Sequence, residues 1–242
     1  MHIPDGYLSP QTAGALYVVT APLWALSVRS IRRRMEARSV PLLALLAAFS
    51  FLIMMFNIPL PGGTTGHAVG GVLIAILVGP WPALMAVTIA LAVQALFFGD
   101  GGILSLGANA FNCGFAMPFA GYLVFAALKG ASKPSDRRFA IAAAAGGYAG
   151  INAAALLVAL ELGLQPILHH TSAGTPLYCP FPLTVTVPAM MIAHLTIAGA
   201  AEAVLTGGIV AFLGNHHPEL FADRAGKGAK AAPQESSRAG AP

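Results

Sequence analysis

Long apolar runs dictate what this chain can fold into. Gln11–Val28, Val40–Phe56, Ala68–Val78, Ala83–Phe98, Ile103–Leu128, Phe139–Leu164 and Pro182–Leu213 are almost free of charge, and short links rich in polar residues, glycine or proline separate them. About 20 apolar residues carry a helix across the hydrocarbon of a bilayer. Within that layer a helix satisfies its own backbone N–H and C=O groups. The pattern therefore predicts an all-α membrane protein of about seven transmembrane helices. Composition agrees, because 57% of the 242 residues are hydrophobic and only 9% charged, against about a quarter charged in soluble domains. The third run is short and stops at Gly79-Pro80-Trp81-Pro82. Helices three and four either both span or form a re-entrant hairpin, and this uncharged corner leaves both open.

Charge sets the expected orientation. The 13 basic residues fall in three groups: Arg29–Arg38, Lys129–Arg138 and Arg224–Arg238. If the helices alternate, all three groups lie on one side, which the positive-inside rule makes cytoplasmic. The N-terminus is then outside, the C-terminus is cytoplasmic, and the protein is a multi-pass component of the cell inner membrane. Residues 1–9 form a separate tag, 10–213 the helical bundle, and 214–242 a polar cytoplasmic tail whose composition reads as disordered. The lipid bilayer is the expected environment, and no nucleic-acid partner is expected. Two cysteines, Cys113 and Cys179, are too few for a disulfide framework.

The first residues carry chemistry. Met1-His2-Ile3-Pro4-Asp5-Gly6 lacks the basic and apolar regions of a signal peptide, and the bulky His2 predicts that Met1 is retained. The Met1 amine, the deprotonated His2 amide and the His2 imidazole can close fused five- and six-membered chelate rings, with one equatorial position left over. His67, at the end of the glycine-rich Pro61–His67 link, falls on the same side in this topology and offers a fourth nitrogen. A planar set of nitrogens suits Ni(II) or Cu(II), and Co(II) less strictly. Taken alone, the same residues also fit a frayed terminus and an ordinary loop.

The opening Met1–Pro10 (MHIPDGYLSP) resembles the start of the CbiM/NikM family, the substrate-capturing membrane components of energy-coupling-factor cobalt and nickel transporters. The resemblance extends to Gly62–Gly70, Gly107–Gly114, Pro118, Gly121-Tyr122, His194, Glu202 and Thr206, and spans about residues 1–213. It implies a seven-helix bundle with its N-terminus in the core. It implies metal capture by the Met1 amine, the His2 backbone and side chain, and His67. It also implies partners: a membrane coupling subunit, a pair of cytoplasmic ATPases and a small accessory membrane subunit. The chain itself has no G-x-x-x-x-G-K-[ST] loop for ATP, so it is expected to be a transporter subunit rather than an enzyme. No resident cofactor is expected; the metal is cargo. The form of the opening favours Co2+ for cobalamin synthesis, with Ni2+ the alternative. A stand-alone permease and a membrane metalloenzyme remain minor readings.

Other polar residues in apolar runs are weighed the same way. Asn109 and Asn112, three apart on a helical face, either support the metal ligands from behind or bond between helices. His194 and Glu202, eight apart, are candidate functional intramembrane groups; Glu202 could also approach the cytoplasmic surface and touch a partner. Ala44 and Ala48, with Ser50 nearby, permit close helix approach, either to the coupling partner or within the bundle. His169-His170 reads as a solvated loop pair.

Overall fold

A computed structural model of the protein describes residues 2–35, 40–60 and 64–222. Helix α1 (Pro10–Arg34) starts at Ser9, whose side chain accepts from the Thr12 amide, and has proline in its first turn. Helix α2 (Val40–Met54) leads to a two-stranded antiparallel ribbon, β1 (Ile58–Leu60) with β2 (Thr64–Gly66), in which Ile58 pairs Gly66. Then come α3 (Gly71–Val78), α4 (Pro80–Val93), α5 (Leu106–Asn109), α6 (Met117–Lys129), α7 (Arg137–Gly163), α8 (Gln165–Leu168), α9 (Leu183–Ala193), α10 (Gly199–His216) and α11 (Glu219–Ala222). Three π-helical segments, Gln94–Phe98, Ala110–Ala116 and His194–Ala198, continue or interrupt these rods.

Among the described residues, five rods are long and apolar enough to cross a membrane: Pro10–Arg33, Pro80–Phe98, Leu106–Lys129, Arg137–Leu168 and Leu183–His216. Val40–Met54 is a shorter apolar helix. The third expected stretch, α3, has eight residues, or about 12 Å of helix against about 30 Å of hydrocarbon. Apolar on every side, it is buried from Gly71 to Leu77. The protein is a multi-pass helical membrane protein, and large side chains such as Phe97 and Val204 stay 77% and 75% exposed on its flanks, as a lipid-facing surface demands.

Packing around α7 is close because glycines line it. A Cβ on Gly146 would stand 2.7 Å from the Gly121 carbonyl oxygen, and one on Gly150 would stand 2.6 Å from that of Met117, so α6 and α7 cross nearly backbone to backbone. Side-chain contacts fix which ends meet. Ser27 donates to the Trp81 carbonyl (2.7 Å), Trp81 packs on Phe119 (4.9 Å between ring centres), and Phe125 packs on Phe139 (5.0 Å). The C-terminal ends of α1 and α6 and the start of α7 therefore share one end, which gathers Arg32, Arg33, Lys129, Lys133, Arg137 and Arg138. At the other end Tyr17 reaches Ile103, and the Ser9 amide donates to Gln165 (3.0 Å). Helix α10 runs past the expected bundle boundary at 213 and α11 follows it; the rest of the expected tail, 223–242, lies outside the described residues.

Candidate metal centre

The N-terminal tag is held by backbone chemistry from its third residue. The Ile3 amide donates to Asn109 Oδ1 (2.8 Å), while Asn109 Nδ2 and the Gly102 amide both donate to the Ile3 carbonyl at 3.0 Å. The Ile3 side chain is 1% exposed, in a cluster with Leu8, Ala13, Ala108 and Val158. Asp5 accepts from the Ile103 amide (3.1 Å) and the Ser105 amide (3.2 Å). A Cβ on Gly102 would overlap the Asp5 carboxylate. Further along, the Cys179 amide donates to the Tyr7 carbonyl at 3.1 Å. The loop after α4 is thus a receptor for the tag.

This docking carries His2 into the protein, its side chain 2% exposed. Its ring lies against that of His67, with centroids 4.6 Å apart and planes inclined by 54°. Neither His2 ring nitrogen has an aligned hydrogen-bond partner among the described residues, although Nδ1 lies 3.3 Å from Asp100 Oδ1. His67 Nδ1 sits 3.1 Å from the Ala68 carbonyl oxygen. A carbonyl accepts only, so that nitrogen carries the proton and Nε2 keeps its lone pair. Burial lowers the pKa of both imidazoles, that of His67 well below the ordinary value. Both rings are therefore neutral at physiological pH, the state in which imidazole ligates a metal.

The His67 loop is fixed from the opposite side. Glu202, 0% exposed, accepts from the Val69 amide (2.7 Å) and the Gly70 amide (3.1 Å). Thr206 donates to the same carboxylate at 3.3 Å, and Ser50 donates to the Val69 carbonyl at 2.8 Å. A carboxylate at the N-terminus of α3 meets the unpaired amides and the positive end of the helix dipole. Gly70 has φ +72°, and a Cβ there would press on the Phe49 ring at 2.7 Å; only glycine makes this turn into α3.

The remaining sequence candidates fall in different places. Met1 lies outside the described residues. Asn109 clamps the tag next to His2, whereas Asn112 Nδ2 donates to Glu161 (2.7 Å) and makes no hydrogen bond to the tag among the described residues. Glu202 is wholly enclosed rather than turned to a partner. His194 is 1% exposed, its Nδ1 donates to the Met190 carbonyl (2.8 Å), and its Nε2 has no hydrogen-bond partner among the described residues. Ala44 and Ala48 face outward on α2, so they do not pack within the bundle, while Ser50 faces in. His169 Nε2 lies 2.7 Å from Ser9 Oγ and thereby anchors the start of α1; His170 pairs with its own loop. Two residues escaped the sequence reading. Glu161 gave an intramembrane-charge signal, and Asp100 gave only an acid between glycines, which also marks an ordinary turn.

Replacing Asn109 by Ala removes both side-chain bonds to Ile3. Cation affinity should fall about 10- to 100-fold, the range for groups that hold ligands from behind, with the helical content unchanged. Equilibrium dialysis alongside far-UV circular dichroism checks this.

Residues 2–220 match the family CbiM, described as the cobalt uptake substrate-specific transmembrane region. The chain belongs to this family. It is 52% identical over 98% of its length to the fused nickel transport protein NikMN of Rhodobacter capsulatus, and 51% identical over 85% to a probable fused nickel transport protein LarMN of Lactiplantibacillus plantarum. It spans 68% and 62% of those two fused proteins. A cobalt transport protein CbiM of Geobacter sulfurreducens is 35% identical over 92% of this chain and 62% of its own. A truncated transition metal transporter of known structure is 51% identical, with a TM-score of 0.84, covering 90% of this chain and 100% of that one. Relatives of this CbiM-family chain are named as metal transport proteins, in keeping with a transporter rather than an enzyme.

Proposed function

We propose that this chain is the substrate-capturing membrane component of an ATP-driven uptake system for a divalent transition metal, and that His2 and His67 are its metal ligands. The observation that carries this reading is the meeting of two buried, neutral imidazoles, one of which has no aligned hydrogen bond at either ring nitrogen among the described residues. Among the described residues no three His, Cys, Asp or Glu side chains converge on one point. Side chains alone therefore supply too few donors, and we assign the balance to the His2 amide nitrogen and the Met1 amine. Four nitrogens in a plane favour Ni(II), and the nickel transport proteins of Rhodobacter capsulatus and Lactiplantibacillus plantarum share more identity with this chain (52% and 51%) than the CbiM of Geobacter sulfurreducens does (35%). Nickel is therefore the cargo proposed here. Cobalt for cobalamin synthesis, which the opening residues favour, is the second reading, supported by the description of the family. Purified protein expressed with both metals available should hold about one Ni2+ per chain. Elemental analysis finding neither metal would defeat the reading, and cobalt alone would select the second one.

Energy for uptake has to come from outside a chain without a phosphate loop. We assign it to a pair of cytoplasmic ATPases acting through a membrane coupling subunit, with a small accessory membrane subunit completing the complex. Ala44 and Ala48, both exposed on α2, are the small residues we assign to close approach by the coupling subunit. The basic end of the bundle is assigned to the cytoplasm of the inner membrane and the tag end to the outside. Ser172→Cys should then react with an impermeant maleimide on intact cells and Lys133→Cys only after lysis. Both native cysteines are buried, so background labelling stays low. The reverse pattern would put the metal centre on the wrong side for uptake.

A further inference from the structure

A buried pair of neutral imidazoles has little to attract a hydrated dication out of water. The His2 side chain and His67 are each 2% exposed, and their rings carry no charge. The carboxylates nearby are mostly occupied elsewhere. Asp5 is bonded to the Ile103 and Ser105 amides, Glu161 to Asn112, and Glu202 to Val69 and Gly70. Asp100 differs. Its side chain is 35% exposed, and its Oδ1 is 3.3 Å from Nδ1 of His2. The turn that presents it is built for this approach. Gly99 and Gly101 have φ +66° and +84°, and a Cβ on Gly101 would stand 3.3 Å from His2 Cβ and 3.4 Å from Asn109 Nδ2.

We infer that Asp100 is the carboxylate on which an arriving hydrated divalent cation first lands before it passes to the nitrogens of His2 and His67. The inference rests on the metal-capture reading above. One aqua ligand leaves as a carboxylate oxygen binds. The ring proton of His2 passes through water from Nδ1 to Nε2, the Nδ1 lone pair takes the place of that oxygen, and Asp100 returns to water; the protons displaced from the Met1 amine and the His2 amide go to solvent, and no electrons move. Asp100 thus governs how fast the cation is captured more than how tightly it is held.

Asp100→Asn separates charge from shape, because the amide oxygen can still face His2. Stopped-flow mixing of the full chain with Ni2+ alone, at a series of ionic strengths, gives both rate constants. At low salt the association rate of Asp100→Asn should fall roughly tenfold, the lower end of electrostatic steering effects. The difference should close as salt rises, dissociation should stay within about twofold, and Asp100→Glu should recover part of the rate. Equal association rates for Asp100→Asn and the wild type would overturn the inference. So would a loss of affinity lying wholly in dissociation, which would make Asp100 a prop for the His2 ring. A wild-type chain that takes up no Ni2+ would instead defeat the metal-capture reading itself.

Discussion

His67→Ala should lower cation affinity by more than the roughly 100-fold that bounds the loss of a supporting group, while His169→Ala leaves it unchanged. The two histidines are equally conspicuous in the sequence, so the contrast tests geometry rather than residue type. His67 faces His2 across 4.6 Å; His169 is spent on Ser9 at the start of α1. His2→Ala should do as much damage as His67→Ala, and the double variant little more than either. Two donors on one ion are not additive, because removing the first already forfeits the site. Isothermal titration of the four proteins with Ni2+ completes the cycle. Losses that simply add would mean that the two rings serve separate sites. Neither substitution should unfold the chain, since among the described residues His2 has no aligned ring partner and the ring bond of His67 is to the adjacent residue.

Much of this architecture is legible in the sequence because a membrane restricts the choices. Uncharged runs of adequate length must be helices, and the shortness of Ala68–Val78 anticipates the half-length α3. The meeting of tag and loop is legible from coordination chemistry and from the family resemblance together. What escapes is local. Asn109 and Asn112 share a face on an α-helix, but a π-helical segment begins at Ala110. Its wider turn rotates Asn112 away from the tag and onto Glu161. Nothing in the composition of Ala110–Ala116 announces that turn. Depth is similarly hidden on the last rod, Leu183–His216, which is longer than a bilayer requires. Counting residues along it could not say whether Glu202 reached the surface, and only its bonds to Val69 and Gly70 define its level.

Glu202→Leu should cost the metal site nearly as much as losing His67, although His67 is still present. Leucine fills a similar volume but leaves the Val69 and Gly70 amides buried without an acceptor. Each such group costs about 1–3 kcal/mol, more than a short loop on a positive-φ glycine can bear in place. The loop should relax to rehydrate its amides and carry the His67 ring out of register with His2. Glu202→Gln keeps one acceptor oxygen and should recover part of the affinity. Hydrogen exchange distinguishes this account from a direct role in ligation. A loss of about 2 kcal/mol at the loop corresponds to roughly 30-fold faster exchange in peptides covering Ala68–Leu73, with peptides from α6 unaffected. If Glu202→Leu abolishes binding while exchange in that loop stays at the wild-type rate, the carboxylate acts on the cation itself and not through the position of His67.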